Sequence, residues 1–371
     1  MRILLVRLRL IGDVVFTTPL LRALRRRYPD ASLTYVVEPA AAPVVAGNPH
    51  LQHVVTLPKS SGLRRLRDDL HAIRLLRRER FDVAIDLHGG PRSAWLTWAS
   101  GAPRRIGYTI PGRTGMHTDV VERPVDPARH SVENQWALLG PLGIPPCDPA
   151  TDAMEMASDP GADTSVTDLL RKTGIDPDAP LVVVHVSAGN PFRRWPAASF
   201  AFLIEQLARR DPSRRIIVTS GPSEAEAAGT IAALVRARLG TLAASVPDLR
   251  ELNLPELHSL IARAALYIGG DSGPMHIAAT TTTPVVGLLG PTLASRSMPW
   301  RNPVYFSEAV DMGTLPCRPC HQRVCAPGDF RCLTHITPER VVEAAERGLA
   351  HAASRHSARE PHVVPLATRH A

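Results

Sequence analysis

The feature that most constrains this chain is a rhythm that runs through it twice. Short apolar runs, Ile3 to Val6, Leu33 to Val37, Val54 to Leu57 and Val83 to Leu87, alternate with longer stretches of helical spacing, Leu20 to Tyr28 and Leu63 to Leu76. The second half repeats it. Leu181 to Val186, Ile216 to Thr219, Ala265 to Ile268 and Val285 to Leu289 read as strands, with helical spacing at Phe200 to Leu207, Ala225 to Val235 and Leu257 to Ala264. Strands separated by crossovers of this length form parallel sheets. The expectation is an α/β chain of two domains, residues 1–171 and 181–351, linked near residues 172–180 after a stretch rich in Pro, Gly, Asp and Ala. A length of 371 residues suits two such cores, and two domains leave a cleft between them. Residues 352–371 lack periodic apolar positions and read as a disordered tail.

Charge narrows the partners. Lys and Arg number 43 against 35 Asp and Glu, a net charge of +8, which favours nucleic acid, an anionic membrane surface or a phosphorylated substrate. Arginine clusters such as Arg25-Arg26-Arg27 and Arg64-Arg65 with Arg67 are in most proteins solvated helix faces. No recognised nucleic-acid-binding motif is present, and aromatic residues, the usual stacking platforms, make up only 5%, so no nucleic-acid partner is expected. No apolar run approaches the roughly 18 to 20 residues that span a bilayer. The opening MRILLVRLRLIGD places arginines inside its apolar run and reads as a first strand, not a signal peptide. Five cysteines, four of them between Cys317 and Cys332, fit a cytoplasmic protein better than a disulfide-dense secreted one.

Chemistry concentrates where strands run into polar, glycine-bearing loops, because ligands of open α/β sheets bind at the carboxyl ends of strands. The first such loop holds Gly12 and Asp13. A carboxylate there can take a proton from an incoming hydroxyl, although Asp is equally at home capping the helix that follows. The second is Gly269-Gly270-Asp271-Ser272-Gly273-Pro274-Met275-His276, where a helix start offers free N–H groups and a positive end to a phosphate, and the glycines permit close approach. His276 can donate to that anion, orient Asp271, or serve as a structural histidine. The third, His185 to Pro196, carries Ser187, Arg193 and Arg194; either arginine can neutralise a leaving diphosphate. The fourth places Glu224 after a strand, suited to ribose hydroxyls or to a helix first turn. Gly-Asp-Ser-Gly-Pro also resembles a serine-protease nucleophile segment, but the second glycine of that pattern is missing before Met275 and the βα rhythm is not a double β-barrel. The G-x-G-x-x-G dinucleotide fingerprint is absent.

Together, in this order, these four loops resemble glycosyltransferase family 9, the heptosyltransferases of lipopolysaccharide core assembly, over roughly residues 1–340. The resemblance implies a GT-B fold, two Rossmann-like domains whose parallel sheets face a central cleft, with the acceptor in the N-terminal half and the nucleotide sugar in the C-terminal half. It implies Asp13 as catalytic base and Ser187, Arg193, Glu224, Asp271, Ser272, Gly273 and His276 as donor-binding residues. Arg193 stands where the family usually has lysine. The segments Asp86 to Gly89 and Arg104 to Tyr108 also look like the family's N-terminal half, which implies acceptor contacts from Gly12, His88, Arg104 and Arg105. The activity so implied is inverting transfer of heptose from an ADP-heptose-like donor to an anionic glycolipid at the cytoplasmic face of the inner membrane, without cofactor or catalytic metal. A family 9 transferase using another nucleotide sugar or acceptor, or a non-catalytic protein binding anionic ligands or nucleic acid, are the alternatives.

Cys317, Cys320, Cys325 and Cys332 are the least determined feature. Four thiolates within sixteen residues suit tetrahedral zinc or iron, yet their spacing is not the paired C-x₂-C arrangement of common zinc sites. Reduced thiols and a regulatory disulfide are the other readings. A similar cluster occurs in some members of the family, whose transfer chemistry is metal-independent.

Overall fold

A computed structural model describes residues 1–123, 126–177 and 179–357. The first domain is built on a six-stranded parallel sheet: β1 (Arg2–Val6), β2 (Ser32–Val37), β3 (His53–Thr56), β4 (Val83–Asp86), β5 (Arg104–Tyr108) and β6 (Asp119–Val121), in the spatial order β3-β2-β1-β4-β5-β6. The second holds β7 (Leu181–His185), β8 (Arg215–Thr219), β9 (Leu266–Gly270), β10 (Val285–Leu289) and β11 (Ser307–Asp311), in the order β11-β10-β9-β7-β8. Both are Rossmann-like, and their carboxyl edges face a common cleft in the GT-B arrangement. The central strands β7, β9 and β10 are buried along their whole length, as parallel strands covered by helices on both faces must be.

Strand order decides where a ligand fits. The first sheet reverses direction of growth between β1 and β4, and the second between β7 and β9. Loops leaving the strands on either side of such a switch diverge and open a crevice. In the first domain those loops carry Arg7 to Asp13 and Leu87 to Gly90; in the second, Val186 to Arg194 and Asp271 to Gly273.

The domains meet at this edge. The short helix Ile11–Val15 packs on the helix Gly273–Ala278 so closely that a side chain on Gly273 would begin 3.0 Å from Ile11 Cγ2. One apolar cluster joins Val14 and Leu24 of the first domain with Met275 and Leu260 of the second. His130 Nε2 reaches Met298 O at 2.9 Å, and Trp300 Nε1 donates to Asp152 O at 2.9 Å.

Two boundaries fall elsewhere than expected, and three strands were not expected. The helix Pro160–Lys172 belongs with the second domain, not the first: it lies along the helix Leu254–Arg263, where Ser165 Oγ donates to Glu256 at 2.7 Å and Arg263 to Thr167 Oγ1 at 2.7 Å. The chain therefore changes domain before Asp159, because the apolar face of this helix matches the second core. The final helix runs Pro338–Ser357, past the boundary expected at residue 351, with Val341, Val342, Ala344 and Ala345 buried. The rest of the expected tail lies outside the described residues. Finally, β5, β6 and β11 had no apolar run to announce them; β6 and β11 are edge strands, and all three begin with a polar residue.

Candidate active site

A cavity of about 430 Å³ opens where the two domains meet, lined from the first by Gly12, Asp13 and Phe16 and from the second by Arg193, Asp271, Ser272, Gly273 and His276. Asp271 follows β9 and is 1% exposed. Its Oδ2 lies 3.0 Å from Arg193 Nη1 and its Oδ1 3.5 Å from His276 Nε2, while Arg193 Nη1 also donates to the Asp271 carbonyl at 3.2 Å. Burial alone would push this carboxyl up, but the His276 ring, the Arg193 guanidinium and the Thr292 hydroxyl outweigh it and hold it at about 2. So buried a carboxylate repels a phosphate at short range and acts through its partners: it aims Arg193 and His276 at the cavity. Ser272 is the N-cap of the helix Gly273–Ala278; Pro274 has no N–H and Met275 N donates to Ser272 O at 3.1 Å, which leaves the N–H groups of Ser272 and Gly273, two residues that line the cavity, without an intrahelical acceptor.

The two neighbouring arginines have different tasks. Arg193 goes to Asp271; Arg194 Nη2 pairs with Glu224 Oε1 at 2.5 Å and its Nε donates to Ala188 O at 2.9 Å. Beside Glu224, Ser187 Oγ accepts from Gly221 N at 2.8 Å and meets His185 Nε2 at 3.0 Å, while His185 Nδ1 meets Thr219 Oγ1 at 3.0 Å. Burial pushes His185 down to about 4, so the ring is neutral and completes the chain Gly221, Ser187, His185, Thr219. Ser187 and Glu224 thus flank one niche, and the sequence-expected donor residues are gathered along one edge. Gly270 admits the Arg193 backbone, 3.1 Å from where its Cβ would stand, and Gly273 admits Ile11.

Across the cleft, Asp13 lies in the first turn of Ile11–Val15 and forms an ion pair with Arg7. Arg7 is buried at the end of β1, with Nη1 donating to Leu87 O at 2.7 Å, so the carboxylate is charge-balanced and fixed in direction. A side chain on Gly12 would come within 2.5 Å of His276 Cδ2; the glycine is what lets the two halves of the site touch. His88 stands nearby, pushed down to about 4 by burial and then by Arg7. Its loop is shaped by Asp86, whose Oδ1 accepts from His88 N at 3.1 Å and Gly89 N at 2.9 Å.

Arg104 and Arg105 are not brought to the cleft. They open β5, at the amino edge of the sheet, the wrong end for a ligand. Arg104 Nη2 pairs with Asp119 at 2.9 Å, and Arg105 binds the carbonyls of Met116 and Ala102 at 2.8 and 2.7 Å. Residues that sequence reasoning missed lie beside the site instead. Arg7 holds Asp13, and Arg113 Nη1 donates to Gly89 O at 2.7 Å beside His88. Gln322 Oε1 accepts from Arg193 Nε at 2.6 Å and from Asn190 Nδ2 at 3.0 Å, which brings the cysteine-bearing loop over the cavity. The left-handed backbone of Gln322 and its N–H to Cys320 Sγ at 3.2 Å shape that turn. All four cysteines of the loop are free thiols; the Cys332 thiol is pushed up by burial and by Cys317, Cys325 and Cys320. Among the described residues, no three His, Cys, Asp or Glu side chains gather to hold a metal ion.

Two Rossmann-like domains closing on a carboxylate from one side and on Arg193 with the buried Asp271 and His276 from the other define an enzyme of the GT-B glycosyltransferase class. Residues 70–329 match the profile of glycosyltransferase family 9 (heptosyltransferase), and the chain belongs to that family. It is similar to lipopolysaccharide heptosyltransferase 3 of Escherichia coli, 27% identical over 312 residues that cover 83% of this chain and 88% of that one. Among solved structures it resembles a family 9 glycosyl transferase from Veillonella parvula, with a TM-score of 0.78, 22% identity and coverage of 94% and 97%. The E. coli ADP-heptose lps heptosyltransferase II superposes with a TM-score of 0.75, 22% identity and coverage of 95% and 100%.

Proposed function

We propose that this glycosyltransferase moves heptose from an ADP-heptose-like donor to a hydroxyl of the lipopolysaccharide inner core, with inversion at the anomeric carbon. The observation that carries the reading is the pairing of Asp13, on the first domain, with the Arg193–Asp271–His276 cluster facing it on the second. Asp13 takes the proton of the acceptor hydroxyl as its oxygen attacks the anomeric carbon. The bond from that carbon to the diphosphate oxygen breaks, and the nucleoside diphosphate leaves with the electron pair. Its charge is met by Arg193 and by the N–H groups of Ser272 and Gly273, a preorganised electrostatic term of the kind that dominates many enzymes. Ser187 and Glu224 hold the ribose end. Gly12, His88 and Arg113 face the acceptor. Closure of the domains keeps water from the donor. The reading is supported by the similarity to lipopolysaccharide heptosyltransferases and by the surplus of basic residues, which suits an anionic acceptor presented at the cytoplasmic face of the inner membrane.

The test is calorimetric binding of ADP, UDP, GDP and NAD to the purified protein and to Asp271→Ala. Selective ADP binding that weakens in the variant supports the reading. Preference for UDP or GDP assigns another nucleotide sugar, and binding of NAD alone or of no nucleotide overturns it.

A further inference from the structure

The helix Gly62–Glu79 turns Asp69, Ala72, Ile73 and Leu76 to the core and leaves an unusual outer face. Leu63, Leu66 and Leu70 are 86, 51 and 40% exposed, and their spacing of three and four residues aligns them in one stripe. Exposed leucines scattered singly need no explanation, but three in register on one helix do. From Lys59 to Arg78 there are seven basic residues and two acidic ones, Asp68 and Asp69. Asp69 is buried and its Oδ1 pairs with Arg92 at 2.5 Å, while Asp68 Oδ2 accepts from Ser60 Oγ at 2.8 Å and its Oδ1 lies 4.0 Å from Arg67 Nε, too long for a hydrogen bond. What remains outward is a leucine stripe bordered by Arg64, Arg67 and Arg74.

We infer that this helix docks the enzyme on an anionic bilayer, the leucines entering the headgroup boundary and the arginines binding lipid phosphates. A cationic helix with an apolar edge is the form that lies in a membrane interface. A second copy of the same face would bring like charges together, and a nucleic acid would have no use for the leucines. Position adds to the argument. The helix follows β3, so its first turn, where Leu63 lies, stands at the carboxyl edge of the sheet, the same edge as the cleft. Arg92 ties it there, with Nη2 donating also to Pro58 O at 3.1 Å, one loop from His88. Docking by this face brings the acceptor side of the cleft to the lipid surface. The inference rests on the reading of the acceptor as a membrane glycolipid, but its test needs neither donor nor acceptor.

The full chain is sedimented with vesicles of phosphatidylglycerol and phosphatidylcholine, and with phosphatidylcholine alone. The expected result is binding to the anionic vesicles only, with a partition coefficient reduced at least about tenfold in Leu63→Ser/Leu66→Ser/Leu70→Ser and unchanged in Leu234→Ser, an exposed leucine of the other domain. The charge variant Arg64→Glu/Arg67→Glu is expected to fall similarly, with both variants melting as the parent does. Absence of binding to anionic vesicles, equal binding by the leucine variant, or an equal loss in Leu234→Ser overturns the inference. So does a dimer in sedimentation velocity that the leucine variant dissociates, which would assign the stripe to self-association.

Discussion

At the scale of residues, the site is a set of charges held by other charges. Among the described residues, Asp13 is the only carboxylate that lines the cavity from the first domain, and Arg7 fixes it. Asp13→Asn keeps size and polarity but cannot accept the proton. Turnover is expected to fall roughly 10²- to 10⁴-fold with ADP affinity by calorimetry unchanged; near-normal turnover would hand the base role to another group. Gly12 makes a second, purely steric prediction. A methyl at Gly12 meets His276 Cδ2 at 2.5 Å, so Gly12→Ala must displace the ring or part the domains. A loss of about 1–3 kcal/mol of stability in urea unfolding is expected together with reduced transfer. At this scale the sequence was informative about residue type and position. Asp13, Ser187, Arg193, Glu224, Asp271 and His276 all stand after strands, where a chemist would look. It was silent on pairing: nothing in Arg193-Arg194 says which guanidinium meets Asp271 and which meets Glu224.

At the scale of elements, the informative one is the loop between Pro316 and Asp329. Its cysteines drew attention in the sequence, yet the contact that reaches the active site is made by a glutamine between them. Gln322 Oε1 receives both Arg193 Nε and Asn190 Nδ2, so the loop acts as a latch on the guanidinium. Gln322→Ala is expected to raise the donor KM about tenfold, the value of one hydrogen bond to a charged group, with kcat and the thermal midpoint little changed. A fall in kcat with KM unaltered would remove the latch from the argument. The same scale explains Arg104 and Arg105. Recognised from a motif, they open a strand whose other end faces the cleft, and a strand of five residues separates its ends by about 13 Å.

At the scale of the molecule, acid acts on the contact between domains. His130 lies in the first domain; its Nδ1 accepts from Val132 N at 3.1 Å, so Nε2 carries the proton donated to Met298 O across the interface. That arrangement requires a neutral ring, and burial pushes His130 down to about 4. His185 and His88 are likewise lowered to about 4. A histidine whose folded value lies below its unfolded one binds more protons when unfolded, so its contribution is complete above about pH 6.5 and is lost as pH falls toward 4. Asp271, held at about 2, adds loss of the same sign below about pH 4. The urea midpoint is therefore expected to fall steadily from pH 7 to 4.5, and His130→Gln to make that fall shallower. A midpoint flat across this range would mean that these rings are not neutral and buried in solution.

The chain by itself determined the two α/β halves, the parallel connections and the loops that carry chemistry. These follow from local patterns: an apolar run long enough for a strand, a helical period long enough to cross back, a polar break where the strand must end. Only the tertiary structure decided that the helix Pro160–Lys172 belongs to the second domain, that β5 points its arginines away from the cleft, that Arg7 holds Asp13, and that Gln322 reaches Arg193. Each of those depends on which distant segment arrives beside it. Strand order and domain contact set that choice, and neither leaves a periodic mark on the residues they bring together.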